Sequence, residues 1–172
     1  MMKLKISFLA VLLTNLVFAS QGISQDLNEA ELNKNLGEYK LTVENVNRYA
    51  ESVDALVAEA KKNPKIAEAL NKEPTKNTIT LDEMGKELES IPSFKDILQN
   101  NSLSSRDFIL IPIAYMQAAI LTQAPPEVIA EMQKNMQGRF YMPNVELVKK
   151  NPEITPKIEK AVQGLSDMSP KK

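Results

Sequence analysis

Apolar residues recur along this chain at intervals of three and four, and no convincing run of period two interrupts them. Val43, Val46, Ala50, Val53, Val57 and Ala60 form the clearest stripe, while Glu44, Arg48, Glu51 and Glu59 face elsewhere. That spacing predicts one long amphipathic helix. Thr42 is its expected N-cap, and Lys61-Lys62 sit where a helix C-terminus favours cations. A short helix is expected over 64–71. Thr80 and Glu83, three residues apart, then read as a capping box opening a helix to about Ser90. Pro92 is expected to start another helix through Gln99, and Pro126 one over 126–137 that Gly138 ends. Helices near 144–150 and 152–164 complete the pattern. The nearest approach to a strand, NTITL at 77–81, is too short to count. The expected class is all-α.

The stretch SSRDFILIPIAYMQAAILT, residues 104–122, departs from the amphipathic pattern. Phe108, Ile109, Leu110, Ile111, Ile113, Tyr115, Met116, Ile120 and Leu121 cover every side of a helix, and a helix that is apolar all round is a buried one. Nine such side chains at about 1.5–3 kcal/mol each give roughly 13–27 kcal/mol gross, an upper bound before chain entropy is subtracted. Its length and Gln117 argue against a membrane span. It is expected to be the central helix, about 105–122, of a single-domain bundle of seven or eight. Pro112 has no N–H to offer the Phe108 carbonyl, which predicts a kink that either curves the helix around its neighbours or opens a cavity.

The head of this segment supplies the candidate residues. Ser104 and Asp107 have capping-box spacing, with Asp in place of the usual Glu, so Asp107 is expected to have a structural task. Arg106 is a cation in a first turn, where the helix dipole opposes it. It is expected to turn inward and clamp the central helix to a neighbour through a carboxylate or the free carbonyls of another helix end. The other role open to it is contact with a ligand. Arg106, Asp107 and Pro112 are therefore the candidate structural or ligand-contacting residues; none is expected to be catalytic, and no metal or cofactor site is expected.

The motif KKNP occurs at 61–64 and at 149–152. Both copies place a basic helix end before Asn and a Pro suited to a first helical turn, so shared punctuation explains them more simply than an internal repeat. Residues 23–38 are polar, with Leu27, Leu32 and Leu36 too sparse for a firm stripe, and are expected to form a flexible lead-in. The helical domain is expected over 39–165 and a disordered tail over 166–172.

Residues 1–22 have the form of a secretory signal. Lys3 and Lys5 precede an apolar run from Ile6 to Phe18, and cleavage is expected after Ala19 or Gly22. The run is too short for a membrane anchor. With no cysteine in the chain, lipid attachment beyond a cleavage site is excluded, and so is a disulfide staple. About 150 residues would remain, one domain's worth. Two of the 21 basic residues lie in the signal, leaving 19 against 22 acidic and a net charge of −3. Only Arg48, Arg106 and Arg139 are arginines, and the lysines are scattered among carboxylates, so no basic stripe for nucleic acid exists.

Absent residue types prune the chemistry further. Without His and Cys, the common zinc sites, Ser-His-Asp triads, Cys-His pairs and most haem ligation are excluded. No two of the five glycines stand closer than 15 residues, which excludes a glycine-rich phosphate loop. Met116, Met132, Met136 and Met142 could bind Cu(I) as thioethers. Ile129, Met132 and Met136, with Val128 alongside, instead continue an apolar helical stripe and are expected to be core. The carboxylate pairs Asp82-Glu83 and Glu87-Glu89 read as solvated faces, and the four tyrosines are too dispersed for an aromatic cage.

The order of YKLT with its following valine, the LDE helix, LSSRDF leading an apolar helix that contains MQA, and PNVELVKKNPE near the end resembles a family of small secreted bacterial proteins. The resemblance implies one all-helical domain in the periplasm or secreted space. It carries no activity and transfers no functional residue. The expected function is a non-catalytic helical module of the cell envelope that binds a protein partner or a small apolar or anionic ligand. The alternative is a periplasmic hydrolase built on carboxylates and lysine. A pocket lined by ionisable groups of strongly displaced pKa would favour the enzyme.

Overall fold

The computed structural model describes residues 28–70, 80–135 and 141–168. The expected signal at 1–22, the loop KEPTKNT and the last four residues lie outside them. Within the described residues there are nine α-helices and no strand: α1 (Glu29–Glu38), α2 (Val43–Lys62), α3 (Pro64–Leu70), α4 (Leu81–Glu89), α5 (Phe94–Asn100), α6 (Ser105–Thr122), α7 (Pro126–Asn135), α8 (Pro143–Lys150) and α9 (Ile154–Asp167). The all-α expectation is met.

Local chemistry sets the boundaries. Thr42 accepts from the Asn45 N–H while the Asn45 side chain accepts from the Thr42 N–H, and Thr80 and Glu83 close the same reciprocal pair at α4. Each KKNP ends its helix alike. Asn63 donates its N–H to Glu59 and Asn151 to Leu147, and three residues on, Ile66 and Ile154 return to those asparagine carbonyls and are fully buried. The second proline falls in a turn ahead of α9 rather than in its first position. α5 ends in a Schellman turn: Ser102 N–H meets the Gln99 carbonyl, Leu103 N–H meets Leu98, and Ser102 adopts the left-handed conformation at φ 52°.

α2 and α6 each pack against four other helices. α6 is buried without a break from Phe108 to Tyr115, and Pro112 lies inside it. It meets α2, α4, α8 and α1. Ile120, expected in the core, is 44% exposed, because no described neighbour covers that side of the last α6 turn. α2 takes α9 along one side and α3, α5 and α6 along others. Its buried set is accordingly broader than the predicted stripe: Val46, Val53 and Ala60 are joined by Tyr49, Ser52 and Leu56, while Val57 is half-buried. Glu44 and Glu51 are exposed and Arg48 half-buried. The buried Ser52 hydroxyl donates to the Arg48 carbonyl one turn back, so its polarity is satisfied within the helix.

α9 lies along α2 in the same direction. Lys157 meets Asn47, Lys160 meets Asp54, and Gly164 lies against Val57 and Val53, so both helices ascend together. A Cβ on Gly164 would stand 3.3 Å from a Val57 methyl, which shows how closely the two backbones approach.

Two segments differ from expectation. The lead-in contains α1, where Asn28 caps the Glu31 N–H and Leu32 and Leu36, one turn apart, are both buried. Two leucines suffice because the helix lies against the body on that single line. At the other end, α9 runs on to Asp167, past the expected start of the tail.

Candidate functional site

The three candidate residues of α6 occupy different environments. Ser104 caps the helix by accepting from the Asp107 N–H at 3.0 Å. Asp107 is one methylene shorter than the glutamate of a full capping box; its Oδ2 accepts the Ser104 hydroxyl at 2.6 Å. Its Oδ1 accepts the Tyr39 hydroxyl at 2.7 Å, across a separation of 68 residues. Both carboxylate oxygens are thus engaged in holding the head of α6. Arg106 is exposed and donates through Nη2 to Asn35 Oδ1 on α1. It joins α6 to a neighbour through an amide, where a carboxylate or a helix end had been expected, and that neighbour is the helix read from sequence as a lead-in. Pro112 is buried in the core and faces neither group.

The connector between α1 and α2 passes beside this cluster. The Asn144 side chain, 3% exposed at the start of α8, accepts from the Leu41 N–H at 2.9 Å and donates to the Tyr39 carbonyl at 2.8 Å. One amide side chain therefore satisfies a buried donor and a part-buried acceptor, as a neighbouring strand would. Sequence reasoning missed Asn144 because a buried asparagine and a turn asparagine leave the same local signal.

Burial pushes the Tyr39 hydroxyl well above the usual tyrosine range, reinforced by its hydrogen bond to Asp107 and that group's charge, with Arg106 opposing. Burial alone does the same to Tyr49. The Tyr49 ring packs against Phe108 at 5.2 Å, and Phe108 meets Phe94 edge-on at 5.1 Å. The Tyr49 hydroxyl is buried without a hydrogen-bond partner. Tyr115 is also pushed up by burial; the Thr155 side chain partly offsets this and Glu159 adds to it.

An open groove of about 280 Å³ runs between α2 and α9. Ala50 and Ala161 form its floor, and Asn47, Glu51, Asp54, Lys157 and Lys160 its rim. The lysines are engaged across it: Lys157 Nζ is 2.6 Å from Asn47 Oδ1, and Lys160 Nζ 2.7 Å from Asp54 Oδ2. A second cleft, between α6 and α8 and bordered by Gln117, Tyr141 and Asn144, is too tight to admit a water molecule. None of the three displaced tyrosines borders the groove. No cluster of three or more carboxylates able to hold a metal occurs among the described residues.

Of the apolar stripe expected to be core in α7, the described side chains lie differently. Val128 is 39% exposed, and neither it nor Ile129 joins the buried cluster. The side chains of Met132 and Met136 lie outside the description. With Ile120, Val128 is one of the two large apolar side chains exposed among the described residues, on consecutive helices either side of the turn at 123–125. No helix among these residues is long and apolar enough to cross a membrane. Comparison with protein-family models, curated proteins and solved structures gave no match.

Proposed function

We propose that the protein is a non-catalytic helical module of the cell envelope, exported by its N-terminal signal, that binds a protein partner. The exposed apolar pair Ile120 and Val128 carries this reading. Val128 of α7 stands exposed where its spacing predicts core, Ile120 stands exposed near the end of α6, and exposed apolar side chains on an otherwise well-buried bundle are what a partner surface uses. The groove favours a protein over a small ligand. At about 280 Å³ it is open, floored by two alanines and already bridged by its own lysines, whereas small-molecule sites run to roughly 300–1,000 Å³ and enclose their ligand.

The hydrolase alternative has less support. The described groups whose ionisation is displaced are tyrosines outside the groove, and Asp107 has both oxygens committed to the fold. Affinity purification from the envelope, with co-purifying proteins identified by mass spectrometry, tests the proposal. A specific partner should be recovered with the wild type and lost with Ile120→Lys/Val128→Lys at unchanged melting temperature. Retention by the double variant would remove the α6–α7 face from the interface. An intact mass matching cleavage near Ala19 or Gly22 would support export; a soluble uncleaved chain from secreting cells would count against it.

A further inference from the structure

Among the described contacts, α1 is fastened to the body by two buried leucines, Leu32 and Leu36, on one line, and by the bond from Arg106 to Asn35 at the head of α6. Arg106 holds Asn35, a neutral acceptor, at an exposed position, where such contacts contribute little. A ten-residue helix has small stability of its own. Beyond α1 the situation changes within three residues. Asn144 grips the Tyr39 carbonyl and the Leu41 N–H from inside the core, and the Thr42 capping box begins α2 directly afterwards.

We propose that α1 is a releasable strap: residues 28–38 swing away from α6 as one unit, and the Asn144 grip at Tyr39 and Leu41 stops the opening from spreading into α2. The closed state covers an apolar line on the body with Leu32 and Leu36 and occupies the Arg106 guanidinium. The open state presents both together, an apolar surface beside a free cation. The exposed single contact at Asn35 and the two-point contact at Asn144 divide the labour: one lets go, the other sets the hinge.

Hydrogen exchange on the full chain tests this, read amide by amide. The α1 amides from Leu32 to Glu38 should exchange with one common opening rate, at least about a hundredfold faster than core amides of α2 and α6. Protection should step up sharply at Leu41, whose N–H is held by Asn144. Asn35→Ala and Arg106→Gln alter exposed or half-exposed side chains; each should speed α1 exchange about threefold, the double variant no more than either alone, with α2, α6 and melting temperature unchanged. Asn144→Ala should erase the step at Leu41, even if it also lowers global stability. Either of two outcomes overturns the proposal: a smooth gradient of exchange from residue 28 into α2, or α1 amides that exchange only with global unfolding.

Discussion

Tyr39 and Tyr49 share a raised pKa and otherwise contrast. Tyr39 spends its hydroxyl on a carboxylate, while Tyr49 buries a hydroxyl that meets no partner. A buried, unpaired polar group costs about 1–3 kcal/mol, so Tyr49→Phe should leave stability unchanged or raise it by up to that amount, as the urea midpoint will show. The ring contacts with Phe108 survive the change. Tyr39→Phe should instead cost about 1 kcal/mol, a charge-assisted bond discounted for partial exposure. Both residues also shape the alkaline limb of stability. Tyrosines of the unfolded chain ionise near about 10, whereas burial holds these two protonated well above that. The folded state therefore binds more protons in that range, so the stability they contribute is intact below pH 10 and is lost as pH rises beyond it. Urea midpoints at about pH 8 and pH 11 should fall steeply in the wild type, and less so in the Tyr39→Phe, Tyr49→Phe double variant.

Helices were legible in the sequence wherever a cap and a stripe coincided. Thr42 and Thr80 announced α2 and α4, and both proved to be reciprocal capping boxes. The unbroken apolar run announced α6 as buried, since a pattern with no polar side has no side to leave in water. The failures share a cause: a one-dimensional pattern records which residues are apolar, not whether anything covers them. α1 was missed because two leucines make a poor stripe yet fill one contact line, and Val128 was misplaced because a stripe position is apolar whether or not a neighbour covers it. Of the site, the capping role of Asp107 was visible in the Ser104 spacing, while its bond to Tyr39 depends on tertiary placement. Packing of α9 on α2 likewise turns on Gly164, which the sequence offers only as a glycine within a helix. Gly164→Leu should lower stability by about 1–3 kcal/mol by wedging the helices apart at Val57, despite leucine's better helix propensity; thermal melting will measure it.

The whole molecule is closed by contacts between its first and last thirds. Asn144 reaches residues 103 and 105 positions earlier, and the Lys157–Asn47 and Lys160–Asp54 pairs span 110 and 106. Both pairs are exposed, and only Lys160–Asp54 is an ion pair, so they contribute little. Asn144 is buried, and its removal leaves the buried Leu41 N–H and the part-buried Tyr39 carbonyl without their partner, so Asn144→Ala should cost about 2–4 kcal/mol in a denaturant titration, several times the loss from Lys160→Ala.

The shared direction of α2 and α9 bears on when the chain can fold at all. Two parallel neighbours cannot be joined by a tight turn, and the polypeptide between them must first travel back along the molecule. A chain made from its N-terminus holds the α2 surface that faces α9 without its cover until Ile154 to Asp167 have been added. High contact order of this kind slows folding, because the entropy of a long closure is spent before any packing is gained. α9 is thus a timing element: a chain cut short before residue 154 retains every cap that starts α2 and lacks the neighbour that would keep it in place.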